Sequence, residues 1–161
     1  DGIILVECVK RIQGLMIAKG NAKGIKEISD LLKPGMRYVN RQKGSGTRIL
    51  FDYMCKQEAL DTSKIYGYGR EEFTHTAVAA QIASDSADAG LGIYSAAQIY
   101  DLDFVPICTE QYDLLINKKA FGLDSVQRLL EILRSEAFKD RMMKMGGYEV
   151  TSPGRVIYGL Q

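Results

Sequence analysis

The chain has 161 residues, of which 46% are hydrophobic and 25% charged, a composition typical of globular domains with room for one full domain or two small lobes. Its 21 basic residues nearly balance its 20 acidic ones, so the formal charge of +1 argues against nucleic-acid binding through a broadly basic surface. No apolar run approaches the roughly 20 residues that a membrane-spanning helix requires, so no membrane partner is expected.

The first half of the sequence alternates predicted strands with predicted helices. Short apolar runs predict strands at residues 3–6, 36–40 and 66–68, with a further apolar run at 14–18. Helical spacing of apolar residues predicts a short helix over 25–32. A stronger helix follows the glycine-rich loop at 44–46, and its predicted buried stripe consists of Ile49, Leu50, Tyr53 and Met54.

The second half continues this alternation before it turns helical. The predicted elements are an alanine-rich helix over 74–84, a strand over 87–93, a short helix over 95–100, and strands over 104–107 and 112–116. Two helices follow, the first with a capping box of Asp124 and Gln127, the second capped by Ser135 and ended by Gly146-Gly147. This alternation predicts an α/β fold with a largely parallel sheet.

The loop between the predicted strand 36–40 and the helix after it has the composition of an anion site. Such a loop presents backbone N–H groups at the positive end of the helix dipole. Gly44 and Gly46 permit a ligand to approach the backbone closely, and Ser45 and Thr47 add hydroxyl donors. The loop matches neither the Walker pattern nor GxGxxG. A helix cap in a tight turn explains the same four residues without a ligand.

Three basic residues flank this loop with no acidic residue among them. Arg41, Lys43 and Arg48 give a local charge of +3, which favours the anion interpretation over the cap alone. The anion would also meet Thr74 and His75, which open the second helix. A histidine at a helix start is more often satisfied by a neighbouring carbonyl or carboxylate than catalytic, and no catalytic residue is predicted.

Two glycines in the strand 87–93 leave two interpretations open. Gly90 and Gly92 would let a ligand approach the strand end, or would relieve crowding under the alanine-rich helix. Tyr94 and Tyr112 would line a cleft or serve packing alone.

The single histidine and the scattered cysteines exclude several kinds of site. Cys8, Cys55 and Cys108 form no CxxC pair, so neither a disulfide framework nor a zinc site is predicted. Because His75 is the only histidine, a metalloprotease motif with two histidines is impossible. No metal and no cofactor are expected, and Cys55 is predicted to lie in the core.

Several motifs in order resemble the periplasmic-binding-protein-like domain family. They are YVNRQKGSGTR at 38–48, THTAVAA at 74–80, ADAGLGI at 87–93, DFVP at 103–106 and GGY at 146–148. The resemblance implies a type II solute-binding fold, in which two α/β lobes are joined by crossover strands and hold the ligand in a cleft between them. It implies a partial lobe I at 1–36 and 110–161 and a lobe II at 37–109, with the first units of lobe I missing.

The GSGT loop is also similar to that of tungstate- and molybdate-binding proteins. By this resemblance the ligand-binding residues would be Arg41, Gly44, Ser45, Gly46, Thr47, Thr74, His75 and Gly90. The implied function is a non-enzymatic sensor for a small oxyanion, located in the cytoplasm, with the periplasm left open because the native N-terminus is not visible. Fusion to a DNA-binding or molybdopterin-biosynthesis domain and pairing with a second copy are further expectations. An effector domain for an organic acid or pterin-like ligand, and a component of molybdenum-cofactor biosynthesis, are the alternatives.

Overall fold

The computed structural model describes residues 2–159 and divides the chain into two compact units. Unit 1 consists of Asp1–Arg11 and Thr109–Gln161, and unit 2 consists of Ile12–Cys108. Asp1, Leu160 and Gln161, the ends of the predicted lobe I, lie outside the described residues. The architecture is mixed α/β, as predicted, and two long strands each run through both units.

The bounds of the elements follow in chain order. The strands are β1 (Ile3–Ile17), β2 (Asn40–Arg41), β3 (Glu71–Glu72), β4 (Ala89–Ile93), β5 (Asp103–Asn117), β6 (Tyr148–Glu149) and β7 (Val156–Tyr158). The α-helices are α1 (Gly46–Gln57), α2 (His75–Ala83), α3 (Tyr94–Ile99), α4 (Asp124–Leu133) and α5 (Glu136–Met145). Short 3-10 turns occupy Ile28–Leu32, Thr62–Lys64 and Lys118–Ala120.

Strand β1 joins the predicted strand at 3–6 to the apolar run at 14–18. Lys10 and Arg11 interrupt the apolar pattern between them, yet both pair with residues of β6. Strand β5 likewise merges the strands predicted at 104–107 and 112–116. Pairing with neighbouring strands therefore extends both strands through segments whose side chains carry no strand pattern.

The prediction of a largely parallel sheet is wrong for the main sheet. Strand β1 pairs antiparallel with β4, β6 and β7. Parallel contacts occur where a helix links one strand to the next: β2 pairs parallel with β3, and Tyr38 forms a parallel bridge with Ala89. A helical crossover imposes parallel direction, and β1 reaches β4 without such a direct crossover.

A hydrophobic cluster in the core of unit 2 includes side chains from residues 12–36. Tyr38 stacks on Phe51 of α1 with ring centroids 4.6 Å apart, and both rings are fully buried. Leu15 and the turn Ile28–Leu32 pack into the same cluster. Residues 12–36 therefore lie in unit 2, because their apolar side chains are buried against α1 and β4. The lobe bounds, 1–36 with 110–161 for lobe I and 37–109 for lobe II, stay a prediction.

Local structure in unit 2 differs from the sequence prediction at four places. The helix predicted over 25–32 is only the 3-10 turn Ile28–Leu32. The buried face of α1 carries Thr47, Arg48, Phe51 and Cys55, while Ile49 and Tyr53 of the predicted stripe are exposed. The strand expected over 36–40 shortens to β2 and the bridge at Tyr38. The strand predicted at 66–68 is a turn, and Gly67 (φ +93°) passes against the Tyr38 carbonyl, where a side chain has no room. Cys55 is buried, as predicted.

In unit 1 alternate residues of β1 face two helices. Ile4, Val6 and Cys8 are buried in one cluster with Leu130 and Leu133 of α4, and Phe138 and Met142 of α5 pack against this cluster.

The helix boundaries of unit 1 confirm one predicted cap and correct another. Ser135 caps α5, as predicted, and Gly146 ends it with φ +73°. The capping box at Asp124 is wrong, because Leu123 is the N-cap of α4 and Gln127 donates to the Phe121 carbonyl instead. Among residues 2–159, no helix is both long and apolar enough to span a bilayer.

Candidate functional site

Two helices of unit 2 begin at the same edge of its parallel strands. The amide of Gln42 donates to the Glu72 carbonyl at 3.1 Å, which continues the β2–β3 pairing past both strand ends. Helix α1 starts four residues after Gln42, and α2 starts three residues after Glu72. The carboxyl ends of parallel strands are where α/β proteins place ligands, because helix N-termini meet there.

The N-terminus of α1 is open on its loop side. Ser45 is the N-cap, and its Oγ accepts a hydrogen bond from the Arg48 amide at 3.2 Å. Gly44 is exposed with φ +86°, and a Cβ added at Gly44 or Gly46 would meet no atom within 4 Å. The first-turn amides of a helix have no acceptor within that helix. The space beside Gly44 and Gly46 is open, so a ligand can approach this turn.

The side chain of Thr47 lies on the inner side of this helix. Thr47 is 3% exposed, and its hydroxyl donates to Oε1 of the buried Gln13 at 2.9 Å. A hydroxyl has one proton to donate, so the side chain of Thr47 is committed to the core and only its backbone N–H can contribute a hydrogen bond to a ligand. Gln13 was missed from the sequence, where the signal was a polar residue between two apolar runs.

Arg48 is a buried cation whose charge is balanced by two carboxylates. It is 3% exposed, and it pairs with Asp52 and Glu71, each at 2.9 Å. Its guanidinium lies 4.5 Å from the centre of the Tyr68 ring. Burial acts to lower the pKa of Arg48, but the contacts with Tyr68, Asp52 and Glu71 hold that pKa above its ordinary value. The +3 cluster expected from the sequence is therefore reduced, because Arg48 is neutralised inside the protein.

Arg41 connects the two loops at the strand edge. Its Nη2 donates to the Phe73 carbonyl at 3.1 Å, and its Nε donates to Oε1 of Gln42 at 3.2 Å. Arg41 is 8% exposed, whereas Lys43 lies exposed in the loop. Arg41 thus holds the end of β2 beside the residue that precedes the cap of α2.

The N-terminus of α2 carries the other predicted pair. Thr74 is the N-cap, and its Oγ1 accepts from the Ala77 amide at 3.0 Å. His75 is the first helical residue and is half-buried. Its Nδ1 is 3.4 Å from the point where a Cβ of Gly92 would stand, so the imidazole lies at the carboxyl end of β4.

Gly90 serves the close packing of α2 on β4. A Cβ at Gly90 would overlap Cγ1 of Val78 and would stand 2.9 Å from the Val39 carbonyl oxygen. The space that a side chain at Gly90 would need is therefore occupied by Val78 and Val39. This favours the interpretation that Gly90 relieves crowding under α2.

Tyr94 packs edge-on against Phe104 with ring centroids 5.3 Å apart. In the part of the chain that the structure describes, no group of three or more His, Cys, Asp or Glu could hold a metal ion.

Comparison with known proteins identifies the family of this chain. The family model described as the PBP superfamily domain matches residues 1–134. The chain belongs to the periplasmic-binding-protein superfamily. A relative from Bacillus subtilis, the uncharacterized protein YvgK, is 39% identical over 153 residues, which are 95% of this chain and 49% of YvgK. The chain thus spans about half the length of YvgK.

Solved structures agree with this assignment at the level of the fold. PEB3 with bound L-phospholactate has a TM-score of 0.65 at 19% identity, covering 90% of this chain and 68% of PEB3. A substrate-binding domain assigned to a molybdenum ABC transporter of Clostridium difficile has a TM-score of 0.61 at 18% identity, covering 92% of this chain and 67% of that domain. The fold is therefore that of type II periplasmic binding proteins, as the motifs implied.

Proposed function

We propose that this superfamily member is a non-enzymatic binding or sensor domain for a small tetrahedral oxyanion of the molybdate or tungstate class. The observation that carries the proposal is the placement of the α1 and α2 N-termini at one strand edge of unit 2, capped by Ser45 and Thr74. Amide groups of two first turns can surround one anion with fixed donors, and the helix dipoles favour its negative charge.

The donors in this proposal are mainly backbone groups. Ser45 Oγ accepts from Arg48 and keeps its own proton to donate, while Gly46 and Thr47 contribute amides. Lys43 raises the local anion concentration from the loop. Each charge-assisted hydrogen bond contributes about 1.5–3 kcal/mol, so a few of them are enough for micromolar affinity.

Calorimetric titration with molybdate, tungstate, sulfate and phosphate tests the proposal. We expect molybdate or tungstate to bind with the highest affinity, at about micromolar Kd. The fold similarity to the domain assigned to a molybdenum transporter supports this order. The absence of heat of binding with all four anions, confirmed by a thermal-shift assay, would contradict it.

An organic acid is the second candidate. Two separate helix N-termini can also receive two anionic groups of one molecule, and L-phospholactate is the ligand of the structurally similar PEB3. Adding L-phospholactate to the titration panel decides between the candidates. Tighter binding of that compound than of tungstate would favour an organic ligand.

The partners and the location stay predictions. They are a fused DNA-binding or molybdopterin-biosynthesis domain, pairing with a second copy, and a place in the cytoplasm. The full reading frame tests the first, light scattering of the purified protein tests the second, and cell fractionation tests the third.

A further inference from the structure

Arg48, in the first turn of α1, is hydrogen-bonded to both strand β2 and strand β3. From the first turn of α1, its Nη1 donates to Oε1 of Glu71 in β3 at 2.9 Å and to the carbonyl of Arg41 in β2 at 3.3 Å. Its Nε donates to both carboxylate oxygens of Asp52 within α1, at 2.9 and 3.0 Å. A single planar guanidinium therefore fixes the start of α1 relative to two strands.

Arg41 continues this connection to the second helix. Its Nη2 donates to the carbonyl of Phe73, the residue immediately before the Thr74 cap. Glu71 lies in the strand that leads to the same cap. The two arginines thus connect the first turn of α1 to the segment from which α2 starts, along hydrogen bonds of 2.9 to 3.3 Å.

We propose that Arg48 is a positioning residue that sets which size of tetrahedral oxyanion the site prefers, an inference that rests on the proposed function. Molybdate and tungstate are larger than sulfate and phosphate, so donors held at one spacing satisfy the large anions and are too far apart for the small ones. Rigid support behind the binding groups gives such discrimination, because loosened donors adjust to either size. Arg48 acts through the spacing of the helix starts and does not itself contact the ligand.

Two carboxylates that pair with Arg48 provide a matched test. Glu71→Ala removes the link from α1 to β3. Asp52→Ala removes an ion pair within α1 and a hydrogen bond from the Tyr68 hydroxyl, and it leaves the bonds from Arg48 to both strands in place. The readout is the ratio of tungstate affinity to sulfate affinity, measured by calorimetry. We expect Glu71→Ala to lower this ratio by about fivefold or more and Asp52→Ala to change it by less than about twofold.

Arg48→Lys keeps the charge but cannot form the planar bridge, so we expect it to lower the ratio as Glu71→Ala does. Glu71→Gln replaces Glu71→Ala if the alanine variant does not fold, as judged by circular dichroism.

A wild-type protein that prefers tungstate, with an unchanged ratio in both the Glu71 and the Arg48 variants, would overturn this inference and leave the proposed function intact. Equal changes in the Glu71 and Asp52 variants would also overturn it. A wild-type protein that binds none of the four anions would instead overturn the proposed function.

Discussion

The hydroxyl of Thr47 in α1 donates a hydrogen bond to the side chain of Gln13 in β1, 2.9 Å away, and both residues are almost fully buried. Gln13 is also the β1 residue that pairs with Ile93, the last residue of β4. The first turn of α1 is therefore anchored to the central strand of unit 2 on its inner side, while its backbone amides remain at the loop.

Replacing Thr47 with Val tests this anchor. Val keeps the shape but removes the buried hydroxyl, so Gln13 Oε1 loses a partner inside the core. We expect the free energy of unfolding to fall by about 1–3 kcal/mol in urea denaturation. Thr109→Val, at an exposed position of β5, is the control and should change it by less than about 0.5 kcal/mol. Equal small effects at both positions would show that the anchor is not important for stability.

Ser45→Ala separates the cap from the ligand contact. Ser45 and Ser135 both cap a helix with the side-chain oxygen, so each alanine variant should lose about 1 kcal/mol of stability. Only Ser45 lies at the candidate site, so only Ser45→Ala should weaken tungstate binding, by about tenfold. Chemical denaturation and calorimetry on both variants measure the two effects. Unchanged tungstate affinity in Ser45→Ala would show that the Ser45 hydroxyl does not bind the anion.

Asp88 joins the start of β4 to two cations. It accepts hydrogen bonds from the amide and guanidinium of Arg37 and from Lys23 Nζ, at 2.7 to 3.1 Å. Burial acts to raise the pKa of Asp88, but the bonds from Arg37 and Lys23 outweigh it and lower the pKa from 3.8 to about 2. Because the folded state favours the charged form, Asp88 stabilises the protein above pH 3.8, and this contribution is lost as the pH falls towards 2.

Asp88→Asn should therefore be destabilising at neutral pH and less so in acid. We expect a loss of at most about 2 kcal/mol at pH 7, and the difference from wild type should narrow as the pH falls from about 4 to about 2. Urea denaturation across this pH range measures it, with the exposed Asp140→Asn as control, which should stay close to wild type throughout. A difference that is the same at every pH would contradict the assigned role of Asp88.

Gly90→Ala tests the packing of α2 on β4. The added methyl would overlap Val78 and the Val39 backbone, and a backbone carbonyl cannot move aside cheaply. We expect a loss of about 1–3 kcal/mol in unfolding free energy. At Gly122 a Cβ meets no atom within 4 Å, so Gly122→Ala is the matched control with an effect below about 0.5 kcal/mol. If the Gly90→Ala protein is as stable as wild type but binds tungstate more weakly, Gly90 contributes to ligand binding and not to packing.

The parts of the fold that sequence alone predicted are those encoded by neighbouring residues. Ser45 caps α1 as the loop composition suggested, and Ser135 caps α5, because a cap needs only its own helix. A local pattern can still mislead. Asp124 and Gln127 have the right spacing for a capping box, but Leu123 is the N-cap of α4. The order of strands and helices likewise followed from local apolar patterns.

What the sequence could not show depends on residues far apart in the chain. The pairing of Arg48 with Asp52 is readable as a spacing of four, but its pairing with Glu71 spans 23 residues. For that reason Arg48 was counted as an open charge at the loop. The continuity of β1 through Lys10 and Arg11 also depends on β6, which lies more than 130 residues later.

The central claim, that backbone amides at the start of α1 bind the oxyanion, is tested most directly at Gly46. Proline suits the first helical position and removes only the N–H there, while Ser45 already has the extended backbone (φ −71°, ψ 144°) that precedes proline. Gly46→Ala keeps the N–H and is the matched control, since a Cβ at this position meets open space.

Calorimetric titration of tungstate into both variants gives the answer. We predict that Gly46→Pro binds at least about tenfold more weakly than Gly46→Ala, with both variants folded. Equal tungstate affinities in the two variants would contradict the claim.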